Sequence, residues 1–149
     1  MKLSNKGRYG VQALFDIAFH NDGKPTLIRD IAERASIPAR FLEQIFQDLK
    51  RAGLVGSKRG PRGGYHLARP AASITIGDVV RALEGPVAVL VAQEAAGKKS
   101  PPDATSAVFK DLAIDVERCF DAISIADVVT RGEALGVPRY THARASYAI

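Results

Sequence analysis

Four polar side chains recur at helical spacing in one short segment of the chain, and they are Arg40, Glu43, Gln44 and Gln47. In duplex DNA an arginine donates two hydrogen bonds to guanine, a glutamine pairs with adenine, and a glutamate accepts a hydrogen bond from cytosine N4. A helix fits the major groove, with the residues near its N-terminus closest to the base edges. The four side chains therefore predict direct reading of base pairs.

Glu43 is the most informative of the four residues. A carboxylate near phosphates is repelled unless it meets a hydrogen-bond donor, so it can act as a filter against wrong bases. The alternative is a surface acid that stabilises the helix or pairs with a basic residue four positions later. That position holds Gln47, which weakens the ion-pair version. We interpret Glu43 as a base-discriminating residue.

A second candidate for nucleic-acid contact is the segment RGPRGG at residues 59–64. Its glycines permit a tight turn and a close approach of the backbone. Arg59 and Arg62 supply charge for a minor groove or for phosphates. The alternative is an ordinary hairpin loop. The segment lacks the Gly-Lys-Ser/Thr ending of a nucleotide-binding P-loop, which excludes that reading.

Positive charge is concentrated in the first half of the chain. The 149 residues carry a net charge of +5. Residues 1–69 hold thirteen Lys and Arg against six Asp and Glu, whereas residues 70–149 hold eight against ten. This asymmetry favours a polyanionic partner, although an ordinary solvated surface explains the charge alone. Ser4, Lys6 and Arg8 lie where they could anchor a phosphate.

Apolar periodicity predicts the elements that position these residues. One helix runs from Gly7 to His20, Thr26 caps a second, and a third begins at Pro38. The third helix carries the apolar stripe Leu42, Ile45, Phe46 and Leu49. Strand-like segments at 54–58 and 65–67 then flank the arginine loop. Two helices joined by a tight turn and followed by a hairpin describe a winged helix-turn-helix.

A long helix is predicted in the second half of the chain, from about Asp103 to Ala122. Its apolar stripe is wider than a small winged domain can cover, so a second copy of the helix is the natural partner. Packing on its own domain alone is the alternative. The stripe consists of Val108, Phe109, Leu112, Val116, Cys119, Phe120 and Ile123.

The shorter elements complete a division of the chain into four segments. A capping box at residues 75–78 starts a helix that ends at Gly85, and Ser124 caps a short helix through Val129. The predicted fold is mainly α with a small β-hairpin wing. Its segments are a winged helix-turn-helix DNA-binding domain (1–85), a loop (86–103), a dimerisation helix with a short C-terminal helix (104–131) and a flexible tail (132–149).

Enzyme, metal and membrane functions find little support. His20, His66 and His142 are scattered, and no HExxH or GxSxG motif is present, so we expect no catalytic and no metal site. The single cysteine, Cys119, excludes an internal disulfide and is expected as a packed thiol. The longest apolar run, residues 87–92, is too short to span a bilayer, and the N-terminal segment lacks a signal peptide. We expect a soluble, cytoplasmic protein with no membrane partner.

Several segments together carry a family resemblance: MKLSNKGRYG at 1–10, FLEQIF at 41–46, KRAGLV at 50–55 and, above all, RGPRGGY at 59–65. They resemble the Rrf family of bacterial winged-helix transcription regulators, over roughly residues 1–130. The resemblance implies a homodimer whose long helices cross. Its two winged heads would bind a partly palindromic operator, with half-sites about 34–36 Å apart on adjacent helical turns.

The resemblance also implies particular contact residues. The family's recognition-helix contacts correspond to Arg40, Phe41, Glu43 and Gln44, and its wing arginine corresponds to Arg59. Of these, only Phe41 was not selected from the residue chemistry. It could press on a thymine methyl group or a sugar.

One departure from the family concerns iron. Many members bind an iron–sulfur cluster through three cysteines in the loop before the dimer helix, but this loop contains none. The common spacing places the ligands near Ala92, Lys98 and Ala104, which cannot replace thiolates. We therefore expect no cofactor. A natural cluster-free member is the favoured explanation, and a cluster-binding regulator whose loop cysteines were replaced by mutation is the alternative.

The sequence thus predicts a dimeric, sequence-specific DNA-binding transcriptional regulator that acts as a repressor. Its partners would be double-stranded DNA and a second copy of itself. The alternative of a different class is a winged-helix module that binds another protein. The regulatory signal stays open between a small molecule, a partner protein, oxidation of Cys119 and unregulated binding.

Overall fold

The computed structural model describes residues 3–87 and 103–140. The helices are α1 (Asn5–Asn21), α2 (Ile28–Ala35), α3 (Ala39–Arg51), α4 (Ile76–Glu84), α5 (Ala104–Asp121) and α6 (Ile125–Ala134). The strands are β1 (Val55–Lys58) and β2 (Gly64–Leu67), and Ala71–Ser73 form a single 3-10 turn. This order confirms the predicted class, mainly α with a small hairpin wing. Most of the predicted loop at 86–103 lies outside the described residues.

α1 forms the centre of the winged head and contacts α2, α3, α4 and α6. Its residues Leu14 and Ile17 are fully buried, and they belong to the same core as the apolar stripe of α3. A Cβ on Gly10 would overlap the Leu83 side chain, so a residue without a side chain is needed where α1 meets α4. The apolar stripe that was predicted for α3 therefore packs this helix onto the core of the winged head.

One residue that the sequence assigned to the cap of α2 instead forms an isolated bridge to the wing. β1 and β2 pair antiparallel from Val55 opposite Leu67 to Lys58 opposite Gly64. Thr26, predicted to cap α2, instead exchanges two backbone hydrogen bonds with Tyr65, at 2.8 and 2.9 Å, and Leu27 stands at the N-cap. Thr26 is buried, so its backbone needs partners there more than the helix end needs a side-chain cap.

The helices of the second half begin as predicted, and the last of them ends later than predicted. Thr75 with Asp78 and Ser124 with Asp127 form complete capping boxes, and α5 closely matches the predicted range. α6 continues to Ala134 rather than ending near Val129. The predicted tail, residues 132–149, is therefore partly helical.

Residues just beyond α6 contact the winged head. The Tyr140 N–H donates to Nδ1 of His20 at 3.0 Å, so the described part of the predicted tail packs against α1. Residues 141–149 lie outside the described part of the chain. Within the described ranges, no helix is long and apolar enough to cross a membrane.

Candidate nucleic-acid interface

α3 turns its polar face to solvent, opposite its buried stripe. All four predicted base-reading residues are exposed. Phe41 lies among them with 61% of its surface exposed, which is unusual for a large aromatic side chain. The structure therefore brings five predicted contact residues together on the exposed side of one helix: Arg40, Phe41, Glu43, Gln44 and Gln47.

Asp48 links α3 to the first turn of α1. Its carboxylate accepts from Lys6 Nζ at 2.6 Å and from Arg51 Nη1 at 3.3 Å. The hydrogen bond from Lys6 is the main reason why the pKa of Asp48 lies below its usual value. Lys6, which the sequence offered as a phosphate anchor, is thus bound to a carboxylate within the domain. Gln44 makes only a long 3.4 Å contact with the same carboxylate.

The wing is attached to α3 at its base and exposed at its tip. The rings of Phe46 and Tyr65 stack with centroids 4.5 Å apart, and Lys50 Nζ donates to Ser57 Oγ at 2.6 Å. Arg59 and Arg62 lie in the exposed turn between the strands. The wing therefore offers its arginines on a separate element from α3, held in a fixed relation to it.

The start of α1 is already occupied by a carboxylate. Both the backbone N–H (2.9 Å) and the hydroxyl of Ser4 donate to Oε1 of Glu84, at the end of α4. Ser4 can therefore anchor a phosphate only if the phosphate displaces Glu84. Arg8, one turn after Ser4 in α1, is exposed. Sequence reasoning missed Glu84 because no local pattern relates residues 80 positions apart.

α5 exposes the apolar face that was predicted for dimerisation. Val108, Phe109 and Leu112 are 55%, 50% and 46% exposed, while Val116 and Phe120 are half-buried. The winged head therefore leaves much of the stripe uncovered within one chain. Cys119, expected as a packed thiol, is exposed in the single chain because its face of α5 turns away from the head.

A buried polar cluster lies between α1 and α2. Arg34 donates to both carboxylate oxygens of Asp16, at 2.6 and 3.0 Å, and His20 lies 3.8 Å from Asp16. Burial lowers the pKa of His20, and the charge of Asp16 only partly opposes this. Burial also acts to lower the pKa of Arg34, but Asp16 outweighs it and the pKa is raised. Burial therefore favours the neutral form of the His20 imidazole beside an ion pair.

The second histidine of the described residues, His66, lies in the wing. His66 lies in β2 with Nδ1 3.1 Å from the Leu67 carbonyl oxygen. Within residues 3–87 and 103–140, no three His, Cys, Asp or Glu side chains are grouped so that they could hold a metal ion.

Comparison with known proteins identifies close relatives. The chain is 38% identical over 141 residues to the HTH-type transcriptional regulator IscR of Vibrio parahaemolyticus, covering 92% of this chain and 82% of that protein. It is 36% identical over 143 residues to IscR of Escherichia coli, covering 95% and 88%. These relatives are transcription regulators rather than enzymes.

Two solved structures of transcription regulators are also similar to this chain. The structure of T. potens IscR matches with a TM-score of 0.76 and 36% identity, over 94% of both chains. The structure of CymR (YrzC), the global cysteine regulator of B. subtilis, matches with a TM-score of 0.75 and 30% identity, over 88% of this chain and 98% of that one.

A family model described as "Rrf2: Iron-dependent Transcriptional regulator" matches residues 3–131. The residues here do not fit the iron–sulfur cluster that the resemblance implies. Such clusters are held chiefly by several cysteine thiolates, and this chain has one cysteine, on the exposed face of α5. Ala104, near one expected ligand position, is the first residue of α5. The match nevertheless spans the wing, α3 and α5, and the chain belongs to the Rrf2 family of DNA-binding transcription regulators.

Proposed function

We propose that the protein is a dimeric, sequence-specific repressor that binds double-stranded DNA in the cytoplasm and uses no family-type iron–sulfur cluster. One observation carries the proposal: α3 is anchored by its apolar stripe and exposes five side chains suited to base edges. A bound dimer would act most simply by blocking access to the DNA that it covers.

Each of these five side chains has a role in this proposal. Arg40 donates to guanine, and Gln44 and Gln47 bond to adenine. Glu43 accepts from cytosine N4 and rejects bases that offer no donor at that place. Phe41 packs on a thymine methyl group or a sugar, which would give its exposed ring an apolar partner.

The wing and the start of α1 supply phosphate contacts in this proposal. Arg59 and Arg62 enter a minor groove or follow the backbone, and Arg8 binds a phosphate near the start of α1. Ser4 joins them when a phosphate replaces Glu84 at the helix N-terminus, where anions are favoured.

The dimer in this proposal forms through α5. The stripe is exposed in one chain, and a second copy of the same stripe is chemically complementary to it. The dimer contacts are Val108, Phe109, Leu112, Val116, Cys119 and Phe120. Crossing of two such helices would place two recognition helices on one face of the duplex.

The signal for release is the part of the proposal with most alternatives. A small molecule between head and dimer helix, a partner protein, or oxidation of Cys119 could each supply it. The exposure of Cys119 in one chain keeps the thiol chemistry available until a partner helix covers it.

Selection from random duplexes with the purified full chain at moderate salt tests the proposed function. We expect an enriched near-palindrome with half-sites about one helical turn apart. Replacing both Arg40 and Gln44 with alanine should abolish the enrichment. Arg118→Ala, which removes an exposed arginine from α5, is the matched control and should preserve it.

Absence of enrichment by a folded dimer would contradict autonomous specific binding. Repeating the selection in cell extract then separates the two remaining explanations. Enrichment in extract alone would indicate that an effector sets the heads. No enrichment in either condition would overturn the proposal in favour of the winged-helix interaction module.

A further inference from the structure

The junction between α4 and α5 contains a dense charge network centred on Arg81. Its Nη2 lies 2.7 Å from Asp121 Oδ1 and 3.2 Å from Asp78 Oδ1, and its Nη1 lies 3.0 Å from Glu117 Oε1. A fourth contact joins Nη1 to Asp121 Oδ2 at 3.2 Å. One guanidinium of α4 therefore holds two carboxylates of α5 and one of its own helix.

The backbone closes the same junction beside this network. The Ile76 N–H donates to the Ile123 carbonyl, and the Ile125 N–H donates to the Ile74 carbonyl, both at 2.8 Å. A Cβ on Gly77 would overlap the Asp121 carboxylate. Gly77 thus lets Asp121 approach α4 closely enough to meet Arg81.

The network restrains the angle between α4 and α5 more than it stabilises the fold. The four side chains are each about a third exposed, and ion pairs at such sites stabilise folding weakly. A planar guanidinium bonded on two edges nevertheless restricts rotation of one helix relative to the other. The hydrogen bond from Arg81 to Asp121 also raises the pKa of Arg81, so the cation persists at any physiological pH.

We propose that Arg81 is a positioning residue that fixes the angle between the winged head and α5, and thereby sets the spacing of the two operator half-sites. This inference rests on the proposed function, because spacing has meaning only for a dimer that reads two half-sites. A head of this size gives a lever of roughly 20 Å. A rotation of about 10° at the junction then moves the recognition helix by roughly one base-pair rise of 3.4 Å.

Spacing-dependent binding tests the inference directly. The duplexes carry the two selected half-sites at the selected spacing, one or two base pairs closer, one or two farther, or a single half-site. We expect the wild-type chain to lose about tenfold in affinity when the spacing changes by one base pair, and Arg81→Ala to lose only about twofold. Both chains should bind the single half-site with nearly equal affinity.

Further variants separate positioning from folding and from charge. Arg118→Ala removes an arginine from α5 whose ion-pair partner among the described residues, Asp115, lies in its own helix, so it should keep the wild-type spacing preference. Arg81→Lys should restore part of the preference, because an ammonium can reach one carboxylate at a time. If Arg81→Ala fails to fold, Gly77→Ala displaces Asp121 while retaining Arg81, and it should broaden the preference in the same way.

The outcomes distinguish this inference from the proposed function. An Arg81→Ala or Gly77→Ala chain that folds, dimerises and keeps the full wild-type spacing preference overturns the role of Arg81 and leaves the repressor proposal intact. A wild-type chain that shows no preference for paired half-sites overturns both. A broadened preference with unchanged half-site affinity establishes the positioning role.

Discussion

α3 and α5 are both amphipathic helices, yet they turn opposite faces to solvent. α3 buries its apolar stripe in the head and exposes polar side chains, with Phe41 the exception. α5 contacts the head through a narrow strip around Ala113 and exposes Val108, Phe109 and Leu112. The polar outer face suits a hydrated, charged duplex, whereas the apolar one suits another protein helix. This contrast favours different partners for the two helices.

We expect the largest effect from a charged residue placed in the apolar face of α5. Leu112→Asp should raise the dissociation constant of the dimer by at least ~100-fold, because dimerisation would bury an unpaired carboxylate. Sedimentation velocity measures it. Ala107→Asp adds the same residue about 140° around the same helix and should leave the dimer intact. A Leu112→Asp chain that still sediments as a dimer would remove this face from the interface.

Loss of an arginine should affect DNA binding when it is made in the wing but not when it is made in α5. Arg59→Ala should weaken DNA binding by about tenfold and reduce the salt slope by about one unit, since one fewer phosphate counterion is released. Titrations at several salt concentrations measure both quantities. Arg118→Ala on α5 carries the same change of charge and should leave the slope unaltered. An unchanged slope for Arg59→Ala would argue against phosphate or groove contact.

Glu43 tests the polar face of α3 at the level of single bases. Glu43→Ala should lower discrimination between the preferred and a wrong base by about 1–3 kcal/mol, with little change in non-specific binding. Competition assays with singly substituted operators measure the difference. Glu33→Ala removes an exposed acid from α2 and serves as the control. Equal losses on every sequence would contradict a filtering role.

Sequence patterns predicted what depends on neighbours along the chain. The stripe of α3, both capping boxes and the bounds of α5 follow from residues within a few positions of one another. The pairing of Thr26 with Tyr65, the bond from Ser4 to Glu84 and the Arg81 network do not. The contacts of Thr26 and Ser4, and those from Arg81 to α5, join residues about 40 to 80 positions apart, and their backbone or charge requirements are met only in the folded chain. Tertiary pairing therefore explains most of the differences from prediction.

We expect the smallest effect from His20, in the interior of the winged head that carries α3 and α5. Because the folded chain holds His20 below its usual pKa, the unfolded chain binds more protons as the pH falls through about 6.5. Stability is therefore full above that pH and declines below it, down to the folded pKa. Between pH 7.5 and 5.5 the Tm of the wild-type chain should therefore fall, and His20→Gln should remove part of this fall, as measured by thermal melts.

His66→Gln, in the wing, is the matched control and should retain the wild-type decline. His20→Gln should leave the dimer constant and the salt slope at pH 7.5 unchanged, because His20 is only 8% exposed inside the head. A His20→Gln chain whose melting temperature falls with pH as steeply as the wild type would assign the acid sensitivity to another group. A loss of DNA affinity at unchanged stability would show that the interior cluster also sets the exposed face of α3, since Arg34 of α2 bonds to Asp16 beside it.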